Sequence, residues 1–470
     1  MPCLNIIQGM IRMSHKQSRL FKDEEILSWI TEISEDDIKS VHQKSLVPFY
    51  DQVWVSGDGA YLKDFKSGKE YLDCTSQAWT ANIGFSNPDV AYGVGQQLTR
   101  LSHVRYGFPT IPRIKFIHRL SEIAPKNLRK IAVNAMGGSA AIEAALRLAM
   151  INKPDAQQFY AYTRGYHGST LATMTLSTRF AGVTRFRPWG LDRVSKIPFP
   201  YCYRCPVGQD SEKTCHLECL ELAKHQIEYG SVDKVCGILM EPIQGPGGHI
   251  PAPQRYIKEL RKWTEKNNIL LIWDESQLFT RIGYWFSSEY YDGVTPDITC
   301  LTKAIGGSLP IGCTLAREDL IGFNSAEEHS TFGGNPLMFV SGLIFMNYVE
   351  KAKLLENTRR EGEYITSNLR KLQQKYPYIA DVRGPGLMIG IELVLDPETK
   401  EPANTLAADL IEEAMAKGVI FGHMAPISTD SGKLFRNVIK IKPPLIITRK
   451  DSDLMLEVFE SSLEEAIDYL

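Results

Sequence analysis

At 470 residues, with 43% hydrophobic and 23% charged content, the chain carries enough apolar mass for a large core spread over more than one lobe. A formal charge of −2 excludes a net attraction to nucleic acid or to an anionic membrane, and no apolar stretch is long enough to cross a bilayer. Nine cysteines, an odd number, with no signal-peptide core at the start, point to reduced thiols and a cytoplasmic protein acting on small molecules.

Residues 1–45 read as an N-terminal arm and helix. Arg12, Lys16 and Arg19 come without an acid in the first twenty positions, and a helical pattern follows from Glu24 to Ile33. Residues 46–100 form the N-terminal part of a small domain. There Gly57, Gly59 and Gly68 punctuate β-rich runs between Trp54 and Tyr71, as in a small meander.

Residues 101–344 carry the pattern of a large domain. Apolar runs at Lys130–Val133, Phe159–Tyr162, Val235–Met240, Ile269–Trp273 and Ile298–Leu301 alternate with helical stretches. Such runs predict a mostly parallel sheet covered on both faces, whose ligands gather beyond the carboxyl ends of the strands. Within this region Cys202, Cys205, Cys215 and Cys219 have a spacing that fits a tetrahedral zinc site. The preferred reading is a loop of small, partly buried thiols, with no metal. Residues 345–470 complete the small domain: a long charged helix, the turn at Val382–Gly386, a strand through Ile389–Val394 and a final amphipathic helix with Met455, Phe459, Leu463 and Ile467 on one face.

Chemistry-bearing residues sit just after these strand-like runs. Gly137-Gly138-Ser139 precedes the strong helix former Ala140–Met150, so backbone amides and the positive helix end there could face an anion. Tyr166-His167-Gly168, Glu241-Pro242-Ile243-Gln244-Gly245 and Asp274-Glu275-Ser276-Gln277 follow. Lys303 stands before Ala304-Ile305-Gly306-Gly307, and Thr331-Phe332-Gly333-Gly334-Asn335-Pro336 comes last. A lysine amine at a strand end can form a Schiff base, and an aspartate at a neighbouring strand end can pair with a protonated pyridine nitrogen.

In this order and spacing the motifs resemble those of the class III aminotransferases, a fold type I, pyridoxal 5'-phosphate-dependent family, over everything after about Leu46. The resemblance implies an α/β fold, with a seven-stranded, mostly parallel sheet in the large domain and a smaller α+β domain built from both chain ends. It implies that Lys303 forms the Schiff base and then shuttles a proton, and that Asp274 holds the ring nitrogen. Gln277 would contact the phenolic oxygen, Tyr166 would stack on the ring, and His167 and Glu241 would support the site. Gly137, Gly138 and Ser139 would bind the phosphate, together with Thr331 supplied across a homodimer with shared active sites. Partners would be an amino donor and a 2-oxo acid acceptor. An amino-acid racemase or epimerase uses the same parts and is the runner-up, with decarboxylase and phospholyase chemistry less favoured.

Departures from the family bear on substrate. Pro246 stands where ω-amino-acid relatives carry a switching glutamate, and Lys440 where many carry a carboxylate-binding arginine; a lysine keeps the charge but loses the planar two-pronged grip. Ala78 and Trp79 are expected to line the substrate pocket, with Trp79 narrowing it. Ser276 replaces the usual aliphatic residue, and Leu278-Phe279-Thr280 replaces a glycine-rich stretch in a segment one residue short.

Overall fold

A computed structural model describes residues 20–47, 51–134, 136–178, 191–209, 214–429 and 431–470. Most of the basic N-terminal arm lies outside these residues. Two units are distinguished, Met1–Ser56 with Asp64–Gly68 and Gly57–Lys63 with Lys69–Leu470. The shorter unit contains helices α1 (Asp23–Thr31) and α2 (Glu35–Lys44). Ser34 divides them: its hydroxyl accepts the Asp37 N–H at 3.1 Å, and the Asp37 carboxylate accepts the Ser34 N–H at 3.2 Å. That capping box starts a second helix where the sequence pattern had shown one.

In the longer unit, strand β1 (Glu70–Asp73) precedes the large sheet, whose strands are β2 (Lys130–Asn134), β3 (Gln158–Tyr162), β4 (Val194–Ile197), β5 (Val235–Met240), β6 (Leu270–Asp274), β7 (Ile298–Thr302) and β8 (Gly312–Ala316). Among the described residues this sheet has seven strands in the order β2-β8-β7-β6-β5-β3-β4. Only β8 runs against the others, pairing antiparallel with β7 and β2. The expected seven-stranded, mostly parallel arrangement is therefore present.

Alternation along the strands explains why these runs lack a polar face. Phe159, Ala161, Leu270 and Ile272 enter one core with Ala141, Ile142 and Ala145 of helix α3 (Gly138–Asn152). Tyr160, Tyr162, Leu271 and Trp273 enter the opposite one with Tyr256, Ile257 and Leu260 of helix α4 (Gln254–Lys266). Successive side chains point to opposite faces, so a sheet covered on both sides needs apolar residues at every position.

A second sheet takes strands β9 (Ile379–Arg383), β10 (Ile389–Asp396), β12 (Gly422–His423) and β13 (Val438–Ile441), antiparallel in the order β9-β10-β13-β12. Strand β11 (Val419–Ile420) instead pairs parallel with β1, Leu72 opposite Val419 and Asp73 opposite Ile420. That ladder ties an early segment of the chain to a late one. Among the described residues, no helix is long and apolar enough to cross a membrane.

Candidate active site

The last residues of β2, β5, β6 and β7 are Asn134, Met240, Asp274 and Thr302, so the segments singled out in sequence meet at the carboxyl edge of the large sheet. The segments after β2, β6 and β7 border a cavity of about 380 Å³ lined by Gly137, Ser139, Tyr166, His167, Asp274 and Lys303, among others, while Glu241 and Gln277 stand behind that lining.

Lys303 begins a short 3₁₀ turn, Lys303–Gly306, with a left-handed φ of 52°. A lysine in this region is strained by ~1–3 kcal/mol, and the surrounding structure must hold it there. Ser341 does so from the other side, its hydroxyl donating to the carbonyls of Gly306 at 2.7 Å and Gly307 at 3.1 Å. Burial pulls the Lys303 ammonium below its ordinary value, partly opposed by the charges of Asp274 and Glu241. The amine is thereby shifted towards its nucleophilic form.

Asp274 behaves oppositely. Burial alone would raise its pKa, but the hydrogen bonds of His167 and Ser276 and the charge of Lys303 together bring it below the ordinary carboxylate value. His167 Nδ1 lies 2.9 Å from Asp274 Oδ2, and Ser276 offers both its hydroxyl and its N–H, the latter at 3.0 Å, to Oδ1. Burial lowers the His167 pKa more than Asp274 raises it. An ionised carboxylate is acceptor only, so the neutral ring carries its proton on Nδ1 and leaves Nε2 as a buried lone pair with no protein partner among the described residues.

Glu241 uses both oxygens on backbone, accepting the N–H of Tyr166 and that of Gly245, each at 2.9 Å. Burial, then Asp274, pushes its carboxyl up to about 8 against the pull of those two bonds and Lys303. Its geometry fixes the Tyr166 loop relative to the Glu241–Gly245 turn. Gly245 packs directly against Gln277: a Cβ there would lie 1.7 Å from Gln277 Oε1, so any larger residue would push that amide aside. Gln277 is buried against that turn, and its Oε1 finds no protein partner among the described residues.

Gly137 takes φ 83° as the cap of α3 and contributes no side-chain bond to the helix end. Ser139 Oγ accepts the Ser169 N–H at 3.0 Å, joining this turn to the Tyr166 loop. Thr302 Oγ1, buried without a protein partner among the described residues, lines the same cavity as Gly138. No sequence motif marked Thr302; its place as the last residue of β7 is the signal that could have.

The substrate candidates divide. Trp79 is buried, and the Nζ atoms of Lys303 and Lys440 lie 5.6 and 5.1 Å from its ring centroid. Ala78 is exposed, and none of Ala78, Trp79 and Lys440 is in the cavity lining; Ser76, Gln77, Ala78 and Trp79 all take left-handed φ values. Thr331 is also exposed and borders no part of this cavity within one chain. Arg281, missed in sequence, is fully buried and donates to Ser76 Oγ at 2.8 Å and to Asn82 Oδ1. Among the described residues no group of three or more His, Cys, Asp or Glu side chains could hold a metal ion.

The class III aminotransferase profile matches residues 43–463. The chain belongs to that family. Among curated relatives, the leucine/methionine racemase of Thermococcus litoralis is 33% identical over 90% of this chain and 92% of its own length. Alanine–glyoxylate aminotransferase 2 homolog 2 of Arabidopsis thaliana is 32% identical over 87% and 82%. Among solved structures, an aminotransferase from Bacillus anthracis superimposes with a TM-score of 0.83 at 27% identity, covering 95% of this chain and all of that one.

This class III aminotransferase uses pyridoxal phosphate, and the site fits that cofactor. A buried anionic carboxylate and a buried lysine whose pKa burial lowers border one cavity, with backbone amides of a helix start at its rim. The buried Gln277 Oε1 and Thr302 Oγ1 keep hydrogen-bonding capacity that the protein leaves unused among the described residues.

Proposed function

We propose that Lys303 holds the cofactor's aldehyde and Asp274 its ring nitrogen, and that amino groups pass between an amino donor and a 2-oxo acid at this site. The observation that carries the reading is the sharing of one cavity by the Lys303 amine and the Asp274 carboxylate, the one shifted towards neutrality and the other towards ionisation. Pyridoxal phosphate supplies an electron-withdrawing ring that stabilises negative charge at the substrate Cα. Lys303, freed by the incoming amine, moves the proton at Cα. Asp274 stays ionised under the hydrogen bonds of His167 and Ser276. Tyr166, anchored by Glu241, covers one face of the ring, and Gln277 meets its phenolic oxygen. The Gly137-Gly138-Ser139 amides receive the phosphate.

The functional unit in this reading is a cytoplasmic homodimer with shared sites, Thr331 reaching the phosphate of the neighbouring subunit. Its support is that Thr331 is exposed while Phe332, Phe108, Ile111, Ile114 and Met136 are exposed large apolar residues. Cys74, Cys236, Cys300 and Cys313 are buried free thiols, as a reducing compartment allows.

The purified protein is expected to be yellow, with a visible band bleached by borohydride and absent from Lys303→Ala. Amines and amino acids are then offered with pyruvate or 2-oxoglutarate, and single enantiomers without acceptor. A new amino acid that forms only with acceptor supports transfer; inversion without acceptor would move the reading to racemisation, the activity of the Thermococcus relative.

A further inference from the structure

Trp79 is surrounded by amines. Besides Lys303 and Lys440, Lys442 Nζ lies 4.1 Å from the indole centroid. Lys440 and Lys442 are two residues apart on extended chain at the end of β13, so they share a face. The sheet clears space for them: Lys440 pairs with Gly390 on β10 and Gly422 on β12, so neither neighbouring strand places a side chain beside it. A Cβ at Gly390 would come within 2.5 Å of the Gly248 carbonyl, and one at Gly422 within 3.3 Å of both Lys440 Cβ and Lys442 Cε.

The chain supplies little counter-charge here. Asp73 and Glu241 are the acids that act on these lysines. Asp73 is occupied by the N–H and hydroxyl of Thr75 and the N–H of Gln77, and Glu241 by its two backbone amides. Lys442 gives one hydrogen to the Thr75 carbonyl at 2.7 Å, and neither lysine is among those that pair with a carboxylate within 4 Å in the described residues. Trp79 Nε1 is a buried donor without a protein partner among the described residues. His249 packs on Trp79 with ring centroids 6.0 Å apart, but its Nδ1–H goes to the Ile389 carbonyl, so it turns a lone pair towards its surroundings. Two buried amines lie against one indole with nothing acidic bound to them, so holding both protonated is costly unless an anionic ligand completes the site.

We infer that Lys440 and Lys442, set against Trp79, form a two-amine carboxylate site that selects dicarboxylic amino and 2-oxo acids. This rests on the transfer reading above. Any 2-oxo acid brings one carboxylate, which one lysine can meet; the second lysine supplies the counter-charge for a second carboxylate. The indole adds a cation–π contact to each charged amine.

Cofactor-loaded wild type, Lys442→Met, Lys442→Arg and Lys440→Met are titrated with unreactive glutarate, with butyrate and with glycerol phosphate, following tryptophan fluorescence and heat. Wild type is expected to favour glutarate over butyrate by about 10- to 100-fold, the range of a hydrogen bond to a charged group. Lys442→Met should lose that preference and keep its butyrate affinity, while Lys442→Arg should restore the preference. Equal affinity of wild type for both acids, equal loss of both in Lys442→Met, or stronger binding of glycerol phosphate than of glutarate would each overturn the inference. If Lys442→Met does not load cofactor, Lys442→Gln takes its place under the same criterion. Failure of the transfer reading is distinguishable, because it would appear as inversion of single enantiomers without acceptor, or as a wild-type protein with no visible band, whatever the ratio of glutarate to butyrate affinity.

Discussion

The buried ring of His167 meets the buried carboxylate of Asp274 at 2.9 Å, and the two fix each other's protonation. The aspartate stays anionic because histidine and Ser276 donate to it, and the histidine carries its proton on the facing nitrogen because the aspartate is there to accept it. Asp274→Asn preserves the shape but removes the charge and leaves two amide hydrogens facing groups that had donated. Turnover should fall by about 10²–10³-fold, the range for a preorganised electrostatic group. Ser276→Ala should lower turnover by about 10-fold, because one donor of several is lost. Steady-state kinetics on cofactor-saturated variants checks both, and an Asp274→Asn enzyme within threefold of wild type would show that the carboxylate is not the electrostatic partner.

Arg281 holds the strained turn beside the pocket. Besides Ser76 and Asn82 it donates to the carbonyl of Pro443, and burial pulls its guanidinium down to about 9. Four consecutive residues, Ser76 to Trp79, have φ between 41° and 68°, a conformation that persists only where neighbours enforce it. Arg281→Met leaves those acceptors unsatisfied and should lower stability by ~2–4 kcal/mol. Because Trp79 ends the turn, substrate KM should rise as well. Denaturant unfolding with kinetics on the folded fraction tests this; a change in stability with KM untouched would reduce Arg281 to a fold-holding role.

Lys303, Asp274 and Glu241 were legible in sequence because each ends or follows an apolar run, and runs of that kind become strands whose ends are adjacent whatever their exact order. Ser276 was read as a departure from an aliphatic position; its use, two donors to Asp274, depends on a turn that composition does not reveal. Arg281 and Lys442 were missed because their meaning depends on packing between segments some 160–370 residues apart, such as Lys442 Nζ on the Thr75 carbonyl and Arg281 on that of Pro443. Ala78 was expected in the pocket because the Asn82-Ile83-Gly84-Phe85 turn that follows resembles the family's pocket segment; in this chain it is exposed and borders no part of the Lys303 cavity.

Thr331 offers a test of the assembly. It is exposed and does not border the cavity of its own chain, so in the dimer reading its hydroxyl acts only on the neighbour's cofactor. Thr331→Val should raise the cofactor's dissociation constant about 10- to 100-fold through loss of a hydrogen bond to a charged group. The penalty should vanish when protein is diluted until only monomer remains by analytical ultracentrifugation. Equilibrium dialysis at two protein concentrations measures it; an undiminished penalty in the monomer would place Thr331 in its own subunit's site.

Lys440 should leave a signature in the pH dependence of stability. Burial lowers its pKa to about 7, against the help of Glu241 and with Lys303 pushing the same way, whereas the unfolded chain returns it towards the ordinary lysine value. Between those two values the unfolded state binds more protons, so this group makes the folded state progressively more stable as pH rises from about 7 towards 10. Below pH 7 it is protonated in both states and its burial penalty is felt in full. Buried thiols such as Cys74 and Cys300, whose pKa values burial raises, act in the opposite direction at alkaline pH. They are common to wild type and Lys440→Met and largely cancel in a comparison. The stability of wild type relative to Lys440→Met should therefore climb by at least ~1 kcal/mol from pH 7 to pH 9.5, measured by urea unfolding at each pH. A flat or falling difference would mean that the amine keeps an ordinary pKa, which a buried lysine without a bound anion should not do.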